Sequence, residues 1–248
     1  MNAFFKYLCI QFKMDLRDRG ILMTYYLVPL LFFVVVGSVF SSINPLMKPT
    51  LAASMSIFAV TMGAIMGTPI PIVKARESGT LRALRVSGIP SAAVLFVRAL
   101  SALLHLAIVC VIIYFVSPVL LHSSTPKSPA AYAAALMTFL MVTIAIGLLI
   151  GSLARNQSMA SMLSMIVFFP TVMLSGIMFP SSMLPQAFRW VGYVFPATYA
   201  VQAISGFAYG AKTDLKPGIS MCVLVGIGFI ALAIAVWRFG TIQQNEQE

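Results

Sequence analysis

The chain is 248 residues long, 60% hydrophobic and only 9% charged, with a mean hydropathy of +0.97. A soluble domain of this length needs more polar surface than such a composition supplies, so the chain reads as an all-α, polytopic membrane protein. Its formal charge of +10 does not mark a nucleic-acid binder, because the Lys and Arg residues fall in short segments between apolar runs, where the basic excess that orients membrane helices accounts for them.

Residues 2–19 place Phe4, Phe5, Leu8, Phe12 and Leu16 at helical spacing, with Lys6, Lys13, Asp15 and Arg17 among them. The pattern predicts an interfacial amphipathic helix over residues 1–20, lying flat at the cytoplasmic membrane surface, or else an extended start to the first crossing. The stretch is also long and mixed in charge for a cleaved signal, so the following run is expected to stay as an anchor. Residues 21–40 are uncharged and cross the membrane at about 1.5 Å per residue. Pro29 inside them predicts a kink. Residues 51–73 return, with Gly63 and Gly67 spaced for close helix contact and Pro69 and Pro71 near the inner end.

Lys74 to Pro90 then interrupts the apolar pattern with Lys74, Arg76, Arg82 and Arg85 against a single Glu77. Ser78 or Thr80 caps a short predicted helix whose Leu81 and Leu84 face one way and Arg82 and Arg85 another, and Gly88 with Pro90 ends it. Such a helix lies on the inner membrane surface.

The third crossing covers 92–116. Arg98 in its first turns is expected to snorkel to the surface as an anchor, and His105, several turns further in, is either hydrogen-bonded between helices or exposed to a cavity. Residues 130–153 cross back with a second glycine pair, Gly147 and Gly151. The next inner loop, 154–158, holds Arg155; its Asn156-Gln157-Ser158 matches a glycosylation pattern on the predicted cytoplasmic side, where the match has no meaning. Residues 159–178 form the fifth crossing, interrupted by Pro170.

Residues 179–217 are too long for a turn and too apolar for an ordinary loop. Two segments there, 184–190 and 197–209, are too short to cross, yet aromatic residues from Phe188 to Tyr209 punctuate them, which predicts an outer re-entrant helical hairpin broken at Phe195-Pro196. Residues 219–237 are the sixth crossing. With both termini cytoplasmic, the inner segments carry Lys6, Lys13, Arg17, Arg19, Lys74, Arg76, Arg82, Arg85, Arg155 and Arg238, while the outer ones carry Lys48, Lys127, Arg189, Lys212 and Lys216. The asymmetry sets this orientation.

The composition also limits the chemistry. There are six carboxylates and two histidines, four of those carboxylates near the termini, so paired acid–base residues or a His-rich metal site have nothing to draw on. Cys9, Cys110 and Cys222 are too scattered for a disulfide framework or a metal set. The crossings are nearly devoid of the charges an ion-coupled transporter buries, and no filter-like repeat of a channel occurs. No GxxxxGK[ST] motif occurs, so nucleotide hydrolysis, if used, is expected from another polypeptide.

Two stretches carry a family resemblance: Glu77-Ser78-Gly79-Thr80-Leu81, and Leu174-Ser175-Gly176-Ile177-Met178-Phe179-Pro180 followed by Leu184-Pro185 and Pro196-Ala197-Thr198-Tyr199. In this order, with these crossings between them, the chain resembles an ABC-2 permease, the membrane-spanning half of an ABC exporter. Where that family continues toward a basic residue after its Pro-x-x-Tyr element, this chain reads VQAISGF.

The resemblance implies a permease homodimer, or a heterodimer with a related permease, in a prokaryotic inner membrane. It works with a separate cytoplasmic ABC ATPase that supplies ATP and Mg, and itself binds no cofactor. It also implies that residues 74–90 form the coupling region, with Glu77, Gly79, Thr80, Leu81, Arg82, Leu84 and Arg85 as candidates, Glu77 pairing with an arginine. Gly176, Phe179, Pro180, Pro185, Pro196 and Tyr199 belong to the outer region at 179–217. Phe32, Phe33, Phe58, Phe168, Phe169 and Met173, apolar and near mid-crossing, are candidates for the path of an amphipathic or lipid-like cargo, which such surfaces grip by area. A membrane assembly or sensor subunit that transports nothing shares the same periodicity.

Overall fold

A computed structural model describes residues 3–43, 45–86 and 91–245. Among them the helices run in the order α1 (Ala3–Asp15), α2 (Arg19–Leu22), α3 (Val28–Ile43), α4 (Leu51–Met62), α5 (Pro69–Glu77), α6 (Thr80–Val86), α7 (Ser91–Leu120), α8 (Pro129–Leu153), α9 (Gln157–Leu174), α10 (Gln186–Gly192), α11 (Pro196–Tyr209) and α12 (Pro217–Asn245). Among the described residues six segments are long and apolar enough to cross a membrane: Arg19–Ile43, Lys48–Glu77, Ala93–Leu120, Pro129–Leu153, Gln157–Leu174 and Pro217–Phe239. The protein is thus an all-α, multi-pass helical bundle.

The second crossing is its centre. Of its most apolar window 78% is buried inside the protein, against 22% for the first and sixth crossings, so protein surrounds this helix on all sides while the outer helices keep an apolar face free. Small residues make that possible. A Cβ on Gly63 would fall 2.2 Å from Leu106 Cδ2, and one on Gly147 would fall 2.3 Å from the Ala64 carbonyl oxygen. Gly67 meets the Tyr25 ring and Gly151 meets Pro69 and Ile72. Both glycine pairs therefore serve close helix contact, as their spacing predicts.

Two crossings are not uniform α-helix. The first carries a π-helical turn at Met23–Leu27 between α2 and α3, and the second contains one at Gly63–Gly67. Pro29 has no N–H for the carbonyl one turn earlier, and the wider turn just before it absorbs that mismatch without ending the helix. Pro69 likewise restarts the second crossing as α5 directly after its own π turn.

The fifth crossing is shorter than predicted, stopping at Leu174 rather than 178. Gly176 lies at φ +83°, a left-handed conformation that ends the helix and that glycine adopts without penalty. Beyond it α11 does not skim the surface: Pro196, Ala197, Ala200, Ala203, Ile204 and Ala208 are buried, and the helix is wedged against α4, α8 and α12. Gly210 at φ +66° closes it, with the Gly210 and Ala211 amides donating to the Gly206 and Ser205 carbonyls at 3.1 and 3.0 Å.

Candidate functional site

The charged end of the bundle is built on the Glu77-Ser78-Gly79-Thr80 stretch. Ser78 closes α5, its amide donating to the Lys74 carbonyl at 3.0 Å, and Gly79 follows at φ +71° with its amide on the Arg76 carbonyl at 3.1 Å. That left-handed residue redirects the chain into α6. The Ser78 and Thr80 hydroxyls lie 2.8 Å apart across the break. Ser78 thus belongs to the end of one helix rather than to the start of the next.

Among the described residues Glu77 meets an amide, that of Gln157. Its Oε2 accepts from Gln157 Nε2 at 2.5 Å and its Oε1 from the Gln157 backbone amide at 3.3 Å, at the first turn of α9. The preceding Arg76 donates from Nη2 to the carbonyl of Ala154, the residue that closes α8. Asn156 between them caps α9, its Oδ1 accepting from the Met159 amide at 2.8 Å. Behind these polar contacts Val73, Ala154 and Ala160 form a small buried cluster of their own, flanked by Met159 and Leu163.

On α6, Leu81 is half-buried and packs against the main core, Leu84 is half-buried, and Val86 at the helix end is 86% exposed. The side chains of Arg82 and Arg85, and Gly88 and Pro90 altogether, lie outside the described residues.

The N-terminal helix does not meet only lipid. Asp15 at the end of α1 is 5% exposed and receives Gln11 Nε2 at 2.6 Å, Ser101 Oγ at 2.6 Å and Arg98 Nη1 at 3.4 Å. Arg98 is therefore held by a carboxylate instead of snorkelling freely. Two turns deeper than Arg98, His105 is fully buried, stacked between Phe12 at 4.5 Å and Tyr25 at 5.7 Å, with its Nδ1 2.7 Å from the Tyr26 hydroxyl. It is hydrogen-bonded between helices, one of the two alternatives its position allowed. The side chains of Phe4, Phe5 and Lys6 lie outside the described residues, while Ile10 and Met14 are exposed. Sequence reasoning missed Asp15, Arg76, Gln157 and Val86; the adjacent opposite charges of Arg76-Glu77 were the one local signal available.

Of the mid-crossing residues the structure brings three together. Phe32 stacks on Phe58 at 3.9 Å, and Phe168 meets Phe58 edge-on at 5.9 Å. Phe33 sits apart, in a second buried cluster with Leu51, Met55 and Ile113. Phe169, its ring 5.6 Å from that of its neighbour Phe168 yet 57% exposed, and Met173 face out of the bundle.

At the opposite end a cavity of about 320 Å³ opens between the start of the second crossing and the 175–214 region, lined among others by Ser54, Ser175, Gly176, Pro180, Arg189, Gln202 and Lys212. Arg189 is partly committed, its Nε and Nη2 donating to the Ser181 carbonyl at 3.2 and 3.0 Å. Phe179 meets Phe40 edge-on at 6.4 Å. Pro180 and Pro185 stand at the starts of a short 3-10 turn and of α10, and Pro196 opens α11. Tyr199 ties the two short helices by donating to the Tyr193 carbonyl at 2.7 Å.

A sequence model of the ABC-2 type transporter family matches residues 2–209. The chain belongs to that family. The family is one of membrane transport permeases, and among the described residues there is no group of three or more His, Cys, Asp or Glu that could hold a metal ion. The matched range runs from α1 through the end of α11 and so takes in both ends of the bundle.

Curated relatives include a probable multidrug ABC transporter permease, YbhS, of Escherichia coli, 27% identical over 188 residues that cover 75% of this chain and 48% of that protein. The inner membrane transport permease YhhJ of Escherichia coli is 25% identical, over 72% of this chain and 49% of that protein. ABC transporter G family member 20 of Dictyostelium discoideum is 26% identical, over 68% of this chain and 23% of that protein. The match thus spans about half the length of the bacterial relatives.

Proposed function

We propose that this ABC-2 permease is the membrane part of an ATP-driven exporter in a bacterial inner membrane, that two copies, or one copy and a related permease, form the conduit, and that a separate cytoplasmic ABC ATPase supplies ATP and Mg chemistry. The observation that carries this reading is the family match over 2–209, together with the built break at Gly79 between the buried second crossing and the short helix α6. A helix ending in a left-handed glycine, followed by a short helix whose end at Val86 is exposed, is the form a docking element needs.

In this reading residues 74–90 are the coupling region, at the cytoplasmic side with both termini. Leu84 and Val86, with Arg82 and Arg85, face the ATPase; Gly79 and Thr80 set the angle of α6, Leu81 fastens it to the bundle, and Glu77 holds its base. The stretch 179–217 is the outer re-entrant region. The cargo is amphipathic or hydrophobic: a drug, a peptide antibiotic or a lipid-like molecule. The name of the YbhS relative, a probable multidrug permease, supports the first of these. Phe169 and Met173 line the path between two copies, and Phe32, Phe58 and Phe168 back it from within; Phe33 takes a packing role.

The test is co-purification with an ATPase followed by uptake of an amphipathic dye such as ethidium into inside-out vesicles. Accumulation that requires ATP, and that is lost on Leu84→Ser with Val86→Ser while insertion is unchanged, is the expected result. An ATPase that neither co-purifies nor drives uptake of the dye or of a labelled lipid overturns the reading.

A further inference from the structure

Arg76 and Glu77 are neighbours in sequence, yet they reach opposite ends of one short turn. Arg76 places a cation on the carbonyl of Ala154, where α8 ends, and Glu77 places an anion on the amide of Gln157, where α9 begins. Each charge has the sign that the helix end it meets prefers, since carbonyls at a C-terminus carry partial negative charge and amides at an N-terminus partial positive charge. Apolar contact between Val73, Ala154 and Ala160 supports the same junction. Further along, Gly151 lets α8 lie against Pro69 and Ile72 of α5. The end of the second crossing and the α8–α9 turn are therefore joined by polar, apolar and backbone-close contacts at once. By contrast Gly79, two residues beyond Glu77, stands at φ +71° with open space where its Cβ would be. Junction and break lie side by side.

We infer that Arg76 and Glu77 are positioning residues that clamp the 154–157 turn to α5, so that a push received by α6 passes at once into α9 as well as into the second crossing. The inference rests on the transport reading above and gives Glu77 a task inside the permease rather than on an ATPase surface. The clamp delivers the motion to the helix that carries Phe169 and Met173, both of which face out of the protomer. Without it, motion at α6 would reach α9 only through the core.

Two measurements test it. In the first, the permease alone in lipid nanodiscs is followed by amide hydrogen exchange over residues 154–162. Glu77→Ala is expected to speed exchange there about tenfold, as loss of a charge-assisted bond does locally, Gln157→Ala, which keeps the backbone amide on Glu77 Oε1, to speed it less, and the double variant to match Glu77→Ala; Lys212→Ala at the opposite end leaves the segment as it was. Protection in Glu77→Ala equal to that of the unaltered chain overturns the clamp, whatever the protein transports.

In the second, the permease–ATPase complex in proteoliposomes is assayed for ATP turnover. Glu77→Ala is expected to lower kcat, and Gln157→Ala, which leaves the backbone amide on Glu77, to lower it less, with KM for ATP and the stoichiometry of the complex unchanged, and Glu77→Gln, which keeps one acceptor oxygen, to recover part of the loss. Loss of the ATPase from the complex in Glu77→Ala but not in Gln157→Ala would make Glu77 a docking residue and overturn the inference, as would unchanged kcat in both. Should no ATPase assemble with the chain, it is the transport reading that fails, and the exchange measurement still decides the clamp.

Discussion

A carboxylate buried as deeply as Asp15 is tolerated only where protein donors replace its water, and here Gln11, Ser101 and Arg98 supply them. The pair with Arg98 is largely enclosed, with side-chain exposures of 7% and 18%, so removing one partner strands the other. Asp15→Ala is expected to lower stability by about 3 kcal/mol, the range found when a buried pair loses one member. Asp15→Asn keeps an acceptor for Ser101 and costs less, and Arg98→Met introduced into Asp15→Ala recovers part of the loss by removing the orphaned cation. Thermal unfolding of the four proteins in detergent checks the order. Equal midpoints for Asp15→Ala and the unaltered chain would mean that α1 is not fastened by this carboxylate. Only the Gln11 contact, one helical turn back, was legible in the sequence. The spacing of Phe12 and Leu16 describes a helix with an apolar side, but the other two partners of Asp15 lie 83 and 86 positions away, and periodicity carries no information about contacts at that separation. Glu77 and Gln157, 80 positions apart, were hidden for the same reason.

At the scale of the elements, the six crossings were legible because a run of apolar residues long enough to span hydrocarbon has few other uses, and the glycine pairs because a four-residue interval puts both on one helix face. The π turns were not: Pro29 and Pro69 mark where a helix is disturbed, but a proline leads equally to a kink, and the contacts of Tyr25 with Gly63, Gly67 and His105 beside these turns join segments far apart in the chain. The burial of α11 left a trace that went unread: Ala197, Ala200, Ala203 and Ala208 line up as a small-residue face that suits close packing, alongside the aromatic positions read as a belt. Helix contact of this kind makes a graded prediction. Gly147→Ala forces a methyl group toward the Ala64 carbonyl and is expected to destabilise by about 1–3 kcal/mol, as overpacking does. Gly226 on α12 has open space around it, so Gly226→Ala is expected to be neutral or to stabilise by up to about 1 kcal/mol through helix propensity. Unfolding midpoints that moved together in the two variants would contradict the packing described for α8 on the second crossing.

For the whole molecule, the uneven burial of the helices becomes the organising fact. The second crossing is enclosed, while α9 leaves Met162, Met165, Ile166, Phe169 and Met173 exposed along its length. These positions repeat at three and four residues, so they form one stripe, and a stripe of large flexible and aromatic side chains can face either hydrocarbon or a second copy. The two settings differ in a way that can be measured. With Cys9, Cys110 and Cys222 replaced by Ser or Ala, a single cysteine at Ile166 or Phe169 is expected to give a disulfide-linked dimer in native membranes under mild oxidation, because facing helices of two copies bring equivalent positions within reach. A single cysteine at Phe229 on α12, also exposed, serves as the comparison and is expected to remain monomeric and to react with a lipid-soluble maleimide. Cross-linking at Phe229 but not on α9 would place the partner on the sixth crossing. In that case Phe169 and Met173 face lipid, and a cargo path along α9 loses its basis, while the clamp at Arg76 and Glu77, being internal to one copy, is unaffected.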